Sequence, residues 1–468
     1  MVIEQIYTGC LAQGAYYIES NGEVAIIDPL REVQEYIDRA TTNKAQIKYI
    51  FETHFHADFV SGHLTLAEKT GGKIIFGPNA KTKFNSYNAK DGEVFQIGDI
   101  SITAIHTPGH TMESTTYLLK DKEEKDIAIF TGDTLFLGDV GRPDLAQNSN
   151  ITQNDLAAML FDSLRNKIMP LADDIIVYPA HGAGSACGKN LSKETVGTLG
   201  DQKQHNYALR KDMTKEEFVK EVTNGLLPPP EYFPLNVQLN KEGYQPIDEV
   251  IKTGSKALSV NDFELVANET AALILDVRHQ LEFIKGFIPQ SIFIGLGGTF
   301  APWVGALIKD IHQPILLVVP EGKEKEAITR LSRVGFDHVL GYLEGGVEAW
   351  QLSGKEIDTL PSISAVELEE KMTENVLVFD VRKPGEYVTE HIENVPNTPL
   401  DFLNNHIAEF PTQKDFYLHC AGGYRSVIAA SIKKARGYRR VIDVAGGYGA
   451  IKKTGIKRTA IVTCSNSK

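Results

Sequence analysis

LILDVRHQLEFIKGFIP at 273–289 and LVFDVRKPGEYVTEHIENVP at 377–396 are two versions of one segment. Asp276, Arg278 and Glu282 recur as Asp380, Arg382 and Glu386 at a constant offset of 104. Farther along, GFDHVLGYLEGGVEAW (335–350) matches GYRRVIDVAGGYGAI (437–451), pairing Gly335 with Gly437 and Gly345-Gly346 with Gly446-Gly447. A repeat of about 100 residues is too long for a solenoid unit and right for a small domain. Each copy runs strand, helix, strand, helix, the order of a parallel α/β domain.

Outward from the repeat, the chain reaches LLPPPEYFP (226–234), whose three consecutive prolines forbid helix and central strand alike. Just before it, Thr214 with Glu217 reads as a capping box opening a short helix that Asn224-Gly225 would close. We take this stretch as the end of a first domain. Three domains are expected: 1–247, 248–357 and 360–468. Before the boundary, strand-like runs alternate with helical stretches. AYYIES and EVAIIDP flank Asn21-Gly22, a hairpin signal, and IKYIFET, KIIFGP, ISITAIH, TTYLLK, DIAIFTG and DIIVYPA follow.

Composition narrows the function classes. At 468 residues the chain exceeds one hydrophobic core, and 42% hydrophobic with 23% charged residues describes globular protein. A net charge of -13 disfavours nucleic acid and anionic membrane as partners. No apolar run approaches the roughly 18–20 residues of a membrane helix. MVIEQIYTG has no basic region followed by an apolar stretch, so no secretory signal is expected. Four scattered cysteines (Cys10, Cys187, Cys420, Cys464) make no disulfide framework and suit a reducing cytoplasm.

THFHADF (53–59) carries His54, His56 and Asp58; TPGHT supplies His110, TGDTLF Asp133 and PAHG His181. A lone HxH is as readily two imidazoles of an ordinary strand. Six such residues, each behind an apolar strand, would converge on one rim of a sheet. Gathering them without a cation would cost desolvation and set carboxylates against each other. Arg142, in GDVGRPD nine residues beyond Asp133, could fork onto a substrate carboxylate or be a loop charge. Cys187 in SACGKN is either a thiol near the metal mouth, activated by Lys189, or a buried structural one.

This part resembles the metallo-β-lactamase superfamily, with its αββα sandwich and HxHxDH motif. One position departs from it. The motif's last histidine is Phe59, and a phenyl ring offers no lone pair to a second metal. Two imidazoles and a carboxylate with open positions opposite make the facial triad of non-haem iron oxygenases. Within the superfamily the segment resembles the persulfide dioxygenases. That resemblance implies one Fe(II) per chain held by His54, His110 and Asp133, with His56, Asp58 and His181 orienting ligands or water behind it.

In the last repeat the strand DFYLH delivers Cys420 into CAGGYRS. Gly422 and Gly423 let backbone N–H groups curl towards the sulfur at a helix N-terminus, and Arg425 adds positive charge. Such a nest would hold an anionic persulfide. The loop resembles the CxxGxR active loop of the rhodanese family, in which Asp380 and Arg382 would brace rather than touch substrate. The first copy reads ILLVVPEGKEKEA there, with Val318, Val319 or Pro320 at the thiol position and Glu321 and Glu324 in the loop. It cannot carry a persulfide, so a structural or docking role is expected.

The domain order resembles the multidomain persulfide dioxygenase–sulfurtransferases of sulfide detoxification. The resemblance implies oxidation of a low-molecular-weight thiol persulfide by O2 to sulfite, then sulfur transfer through Cys420 to sulfite, giving thiosulfate. It leaves a homo-oligomer open. Two rivals stand beside it: a zinc-dependent glyoxalase II-type thioester hydrolase, and a non-enzymatic sulfur carrier with a closed structural metal site.

Overall fold

The computed structural model describes residues 1–147, 149–189, 191–374 and 376–459; Cys464 lies outside them. The chain divides into two compact units, Met1–Asp248 with Ser332–Gly335, and Glu249–Leu331 with Phe336–Lys468.

The first unit is built on two six-stranded sheets. One runs Val2–Thr8, Gln13–Ser20, Glu23–Ile27, Gln46–Phe51, Lys73–Phe76, Tyr87–Asn88 in neighbour order; the other runs Gly197–Thr198, Ile176–Pro179, Asp126–Gly132, Thr115–Lys120, Ile100–His106, Val94–Ile97. Side chains alternate along a strand, so each sheet has two faces to cover. Tyr16, Ile18, Ala25, Ile27 and Phe51 meet Ile102, Tyr117, Leu119 and Phe130 between the sheets. The alternate residues Tyr17, Val24 and Ile26 pack outward on Val33, Tyr36 and Leu66. Leu118, Ile129 and Val177 do the same against Leu160, Leu164 and Phe218. The result is the expected helix–sheet–sheet–helix sandwich. The Asn21-Gly22 hairpin forms with both residues at positive φ, 45° and 79°, the twist that joins two strands by a two-residue turn.

The proline run does not end the first unit. Pro234 sits in the first turn of helix Phe233–Glu242, where its missing N–H costs nothing. The helix then packs back: Asn240 Nδ2 donates to the carbonyls of His56 (2.8 Å) and Phe59 (2.9 Å), and its Oδ1 accepts from the Ser61 N–H.

The second unit carries both repeats, each with its own parallel sheet. The first has strand order Ala257–Leu258, Val339–Leu343, Ile315–Val318, Leu273–Asp276, Ile292–Phe293. The second runs Ser362–Ile363, Val441–Val444, Phe416–His419, Leu377–Asp380. Strand Ile315–Val318 is buried at every position, as a central parallel strand covered on both faces requires. Asp276 pairs with Val318 where Asp380 pairs with His419. One residue on, Val319 therefore stands where Cys420 stands, which resolves the three candidates. Among the described residues no helix is long and apolar enough to cross a membrane.

Candidate metal centre and sulfur-transfer site

Five strands of the first unit end at one rim. Gln46–Phe51 leads into His54, His56 and Asp58. Glu23–Ile27 leads into Asp28, Ile100–His106 towards His110, Asp126–Gly132 into Asp133, and Ile176–Pro179 into His181. All are buried. His54 Nε2 and His110 Nε2 stand 3.8 and 3.4 Å from Asp133 Oδ2, and the ligand atoms of the three lie within 4.8 Å of one another. His181 Nε2 stands 3.5 Å from both Asp133 Oδ1 and Asp58 Oδ2.

Hydrogen bonds on the far side of each ring fix what the near side offers. The Thr53 hydroxyl donates to Asp28 Oδ2 (2.8 Å), so it accepts from His54 Nδ1 at 3.0 Å. His110 Nδ1 lies 2.8 Å from the Arg142 carbonyl, and His181 Nδ1 3.3 Å from that of Ala12. Carbonyls only accept, so both Nδ1 atoms carry the proton. Three Nε2 lone pairs thus face carboxylate oxygens with no proton between them. Asp133 Oδ1 and Oδ2, Asp58 Oδ1 and His181 Nε2 are buried without a hydrogen-bond partner among the described residues. Burial, with the charges of His56, His110 and His181, holds the His54 imidazole well below the usual range. Burial also pushes Asp58 up; Asp133 adds to that, and His181 opposes it. This is a donor set that fits a cation.

His56 is engaged differently. Its Nε2 stands 3.0 Å from Asp28 Oδ1 and 3.5 Å from Glu52 Oε2. Burial pulls this imidazole down, but Asp28 and Glu52 outweigh it and push it up to about 9. Phe59 is fully buried with its ring 4.3 Å from that of His56, so an apolar face occupies the motif's last position. The sequence reading missed Asp28, Glu52 and Asn240. Asp28 had a local signal, an aspartate ending an apolar strand before proline; it now sits at φ 50°, a conformation kept where surroundings over-determine it.

Arg142 does not present a free fork. Its Nε and NH2 close on Asp144 at 2.6 Å each, and NH1 and NH2 also donate to the carbonyls of Ala186 and Leu227. Its contact with the site is through its own carbonyl, on His110. Cys187 is buried beside Asp133 and His181. Burial and the carboxylates of Asp133 and Asp58 push its thiol well up. Lys189 is turned to the carbonyls of Glu221 and Asn224 instead of activating it.

In the second unit Cys420 follows strand Phe416–His419, and helix Arg425–Ala435 begins five residues on. Its Sγ accepts from the Gly423 N–H at 3.1 Å and the Ser426 hydroxyl at 3.5 Å. Gly423 takes φ 90° to aim that amide. Arg425 is bidentate on Glu386 (2.7 and 2.9 Å), so it braces the loop while keeping charge near the sulfur. Arg382 forks onto Asp380 and reaches the Glu390 carbonyl, and Arg278 does the same with Asp276 and Gly286 in the first copy. The late Gly446-Gly447 pair has a stated task. A Cβ on Gly447 would stand 2.4 Å from the Cys420 carbonyl, which accepts from Tyr448 N–H at 2.6 Å.

Comparison with known proteins agrees with this division. The metallo-beta-lactamase superfamily model matches residues 8–181, and the rhodanese-like domain model matches 259–353 and 364–454. A hydroxyacylglutathione hydrolase of Haemophilus influenzae is 30% identical over 187 residues, covering 35% of this chain and 82% of that protein. The crystal structure of a metallo-beta-lactamase from Staphylococcus aureus is 29% identical with a TM-score of 0.64, covering 73% of this chain and 98% of that one. That of ETHE1 from Myxococcus xanthus is 26% identical with a TM-score of 0.44, covering 52% and 98%.

Proposed function

We infer, for a chain that belongs to the metallo-beta-lactamase superfamily and carries two rhodanese-like domains behind that part, a two-stage persulfide dioxygenase and sulfurtransferase. The first stage is R–S–SH + O2 + H2O → R–SH + SO3²⁻ + 2H⁺. In the second, Cys420–S–S⁻ + SO3²⁻ → Cys420–S⁻ + S2O3²⁻, by ordinary attack on an S–S bond.

The observation that carries the reading is Phe59, packed on His56 where a second-metal histidine would stand. We take His54, His110 and Asp133 as the ligands of a single metal; in the neighbouring group of His56, Asp58 and His181, His56 Nε2 stands 3.0 Å from Asp28 Oδ1. Iron(II) bound by two imidazoles and a carboxylate supplies the activation of O2. The chain's own residues do the rest. Thr53 and the Arg142 carbonyl keep the Nε2 atoms of His54 and His110 unprotonated. Asp58 and His181, 3.5 Å apart, orient a water beside the substrate. Burial keeps bulk water out, and the Cys420 nest holds the anionic sulfane sulfur.

The relatives named hydroxyacylglutathione hydrolase favour a second reading, zinc-dependent hydrolysis of an acylglutathione on the same rim. Metal content and oxygen uptake separate the two. We expect iron near one per chain, oxygen consumption with low-molecular-weight persulfides, and loss of that consumption in His110→Ala and Asp133→Ala. Zinc near two per chain with acylglutathione hydrolysis would establish the second reading instead.

A further inference from the structure

Cys420 opens into a cavity of about 490 Å3 whose walls come from both repeats: His279, Gln280, Thr299 and Trp303 from the cysteine-less copy, Lys383 and the Cys420 loop from the other. We propose that the cysteine-less copy is the donor-recognition wall of the sulfurtransferase, seating the organic part of a carboxylated low-molecular-weight thiol persulfide. This rests on the two-stage reading above and names the substrate class of its second site.

The wall is built into the active loop. The Tyr424 hydroxyl, four residues beyond Cys420, donates to the Gly295 carbonyl at 2.6 Å, and its ring meets Phe293 edge-on at 5.9 Å. A Cβ on Gly298 would stand 2.6 Å from the Tyr424 ring, so only glycine permits this approach. Arg330 fixes the 295–298 segment that meets Tyr424, donating to the carbonyls of Leu296 (2.6 Å) and Gly298 (3.0 Å). Phe293 N–H donates to Ser431 Oγ at 2.9 Å, on the helix that starts at Arg425.

Size and chemistry then choose the ligand. The volume belongs to the range of organic small-molecule sites, about 300–1,000 Å3; sulfite or thiosulfate alone would leave most of it to water. Sulfite, the acceptor, has no organic part, so the space serves the donor. Trp303 is buried yet lines the cavity, and its indole N–H has no hydrogen-bond partner among the described residues. It offers an apolar face with a polar edge. Lys383 lines the cavity and has no ion pair among the described residues, whereas Arg425 is taken up by Glu386. His279 Nδ1 accepts from the Leu281 N–H, which leaves its Nε2–H as a donor. An aromatic face, an uncommitted ammonium and a neutral donor suit a thiol that carries a carboxylate. Loading is R–S–SH + Cys420–S⁻ → R–S⁻ + Cys420–S–SH. The Cys420 thiolate attacks the outer sulfur, the donor S–S bond breaks, its electron pair leaves on R–S⁻, and the proton stays on the new persulfide.

The test compares two donors on the full chain, glutathione persulfide and thiosulfate, with kcat/KM measured for loading of Cys420. In Lys383→Ala and Trp303→Leu the ratio of glutathione persulfide to thiosulfate should fall about tenfold, chiefly through KM. Lys383 is exposed, so its variant stays informative if Trp303→Leu does not fold. An equal loss with both donors, or an unmoved ratio in Lys383→Ala, overturns the proposal. Oxygen consumption is read in parallel. A shifted ratio in a chain that consumes no oxygen with any persulfide would sink the two-stage reading and keep the wall; intact consumption with an unmoved ratio would sink the wall alone.

Discussion

On the proposed reading Phe59 keeps a second metal off the rim, where His56, Asp58 and His181 also bring ligand atoms within 4.8 Å of one another. The Phe59 ring lies against His56, and His56 Nε2 is committed to Asp28. Phe59→His would add an imidazole next to Asp58 in the chain, a further donor for the group of His56, Asp58 and His181. We expect metal content to rise from about one towards two per chain on reconstitution, with oxygen consumption reduced. Unchanged stoichiometry would mean that something other than Phe59 closes that position. In the last domain Asp443 is one residue whose titration reaches stability; burial lowers Lys433 to about 7 and also lowers His419, and both act in the opposite sense. Burial pushes Asp443 from 3.8 up to about 6, against the hydroxyls of Ser362 and Ser426. The folded state therefore holds the proton more tightly than the unfolded one. The contribution is full below about pH 4 and is lost as pH rises through about 6, amounting to about 3 kcal/mol at most. The part of the second unit's denaturant midpoint that depends on Asp443, read as wild type minus Asp443→Asn, should fall between about pH 4 and pH 7. Equal slopes in the two proteins would remove Asp443 from the account.

At the scale of elements, the clamp between the Cys420 loop and the turn at Gly446-Gly447 explains why a sequence repeat ends in paired glycines. Gly447 has φ 54°, and any Cβ would meet the Cys420 carbonyl. Gly447→Ala should cost about 1–3 kcal/mol of stability and lower thiosulfate:cyanide sulfurtransferase activity at least tenfold while oxygen consumption persists. Loss of both activities would point to general unfolding. Such elements were legible to different degrees. TTYLLK and DIAIFTG are strands at the residues read from the sequence, because two-residue alternation and β-branched content are local signals. The choice among Val318, Val319 and Pro320 was not local; only pairing with the Asp276 strand decides it. Helix Phe233–Glu242 was hidden for a similar reason. Prolines read as a break, while Asn240 earns its place through contacts about 180 positions away. Arg142 was recognisable as a residue near the rim, yet nothing in GDVGRPD says that Asp144 closes its fork.

At the scale of the whole molecule, a rim that fits a metal and a thiol nest occur on one chain, in two compact units. The coupled account requires that they act in sequence, the sulfite made at the first being consumed at the second. Cys420→Ser is the most direct test. The hydroxyl cannot carry sulfane sulfur, and none of the residues proposed to hold iron is touched. The measurement is the anion product of turnover with glutathione persulfide and O2, separated and quantified against oxygen consumed. Oxygen consumption should be largely preserved while product shifts from thiosulfate to sulfite. Thiosulfate at the wild-type proportion, with non-enzymatic formation excluded, would contradict the account.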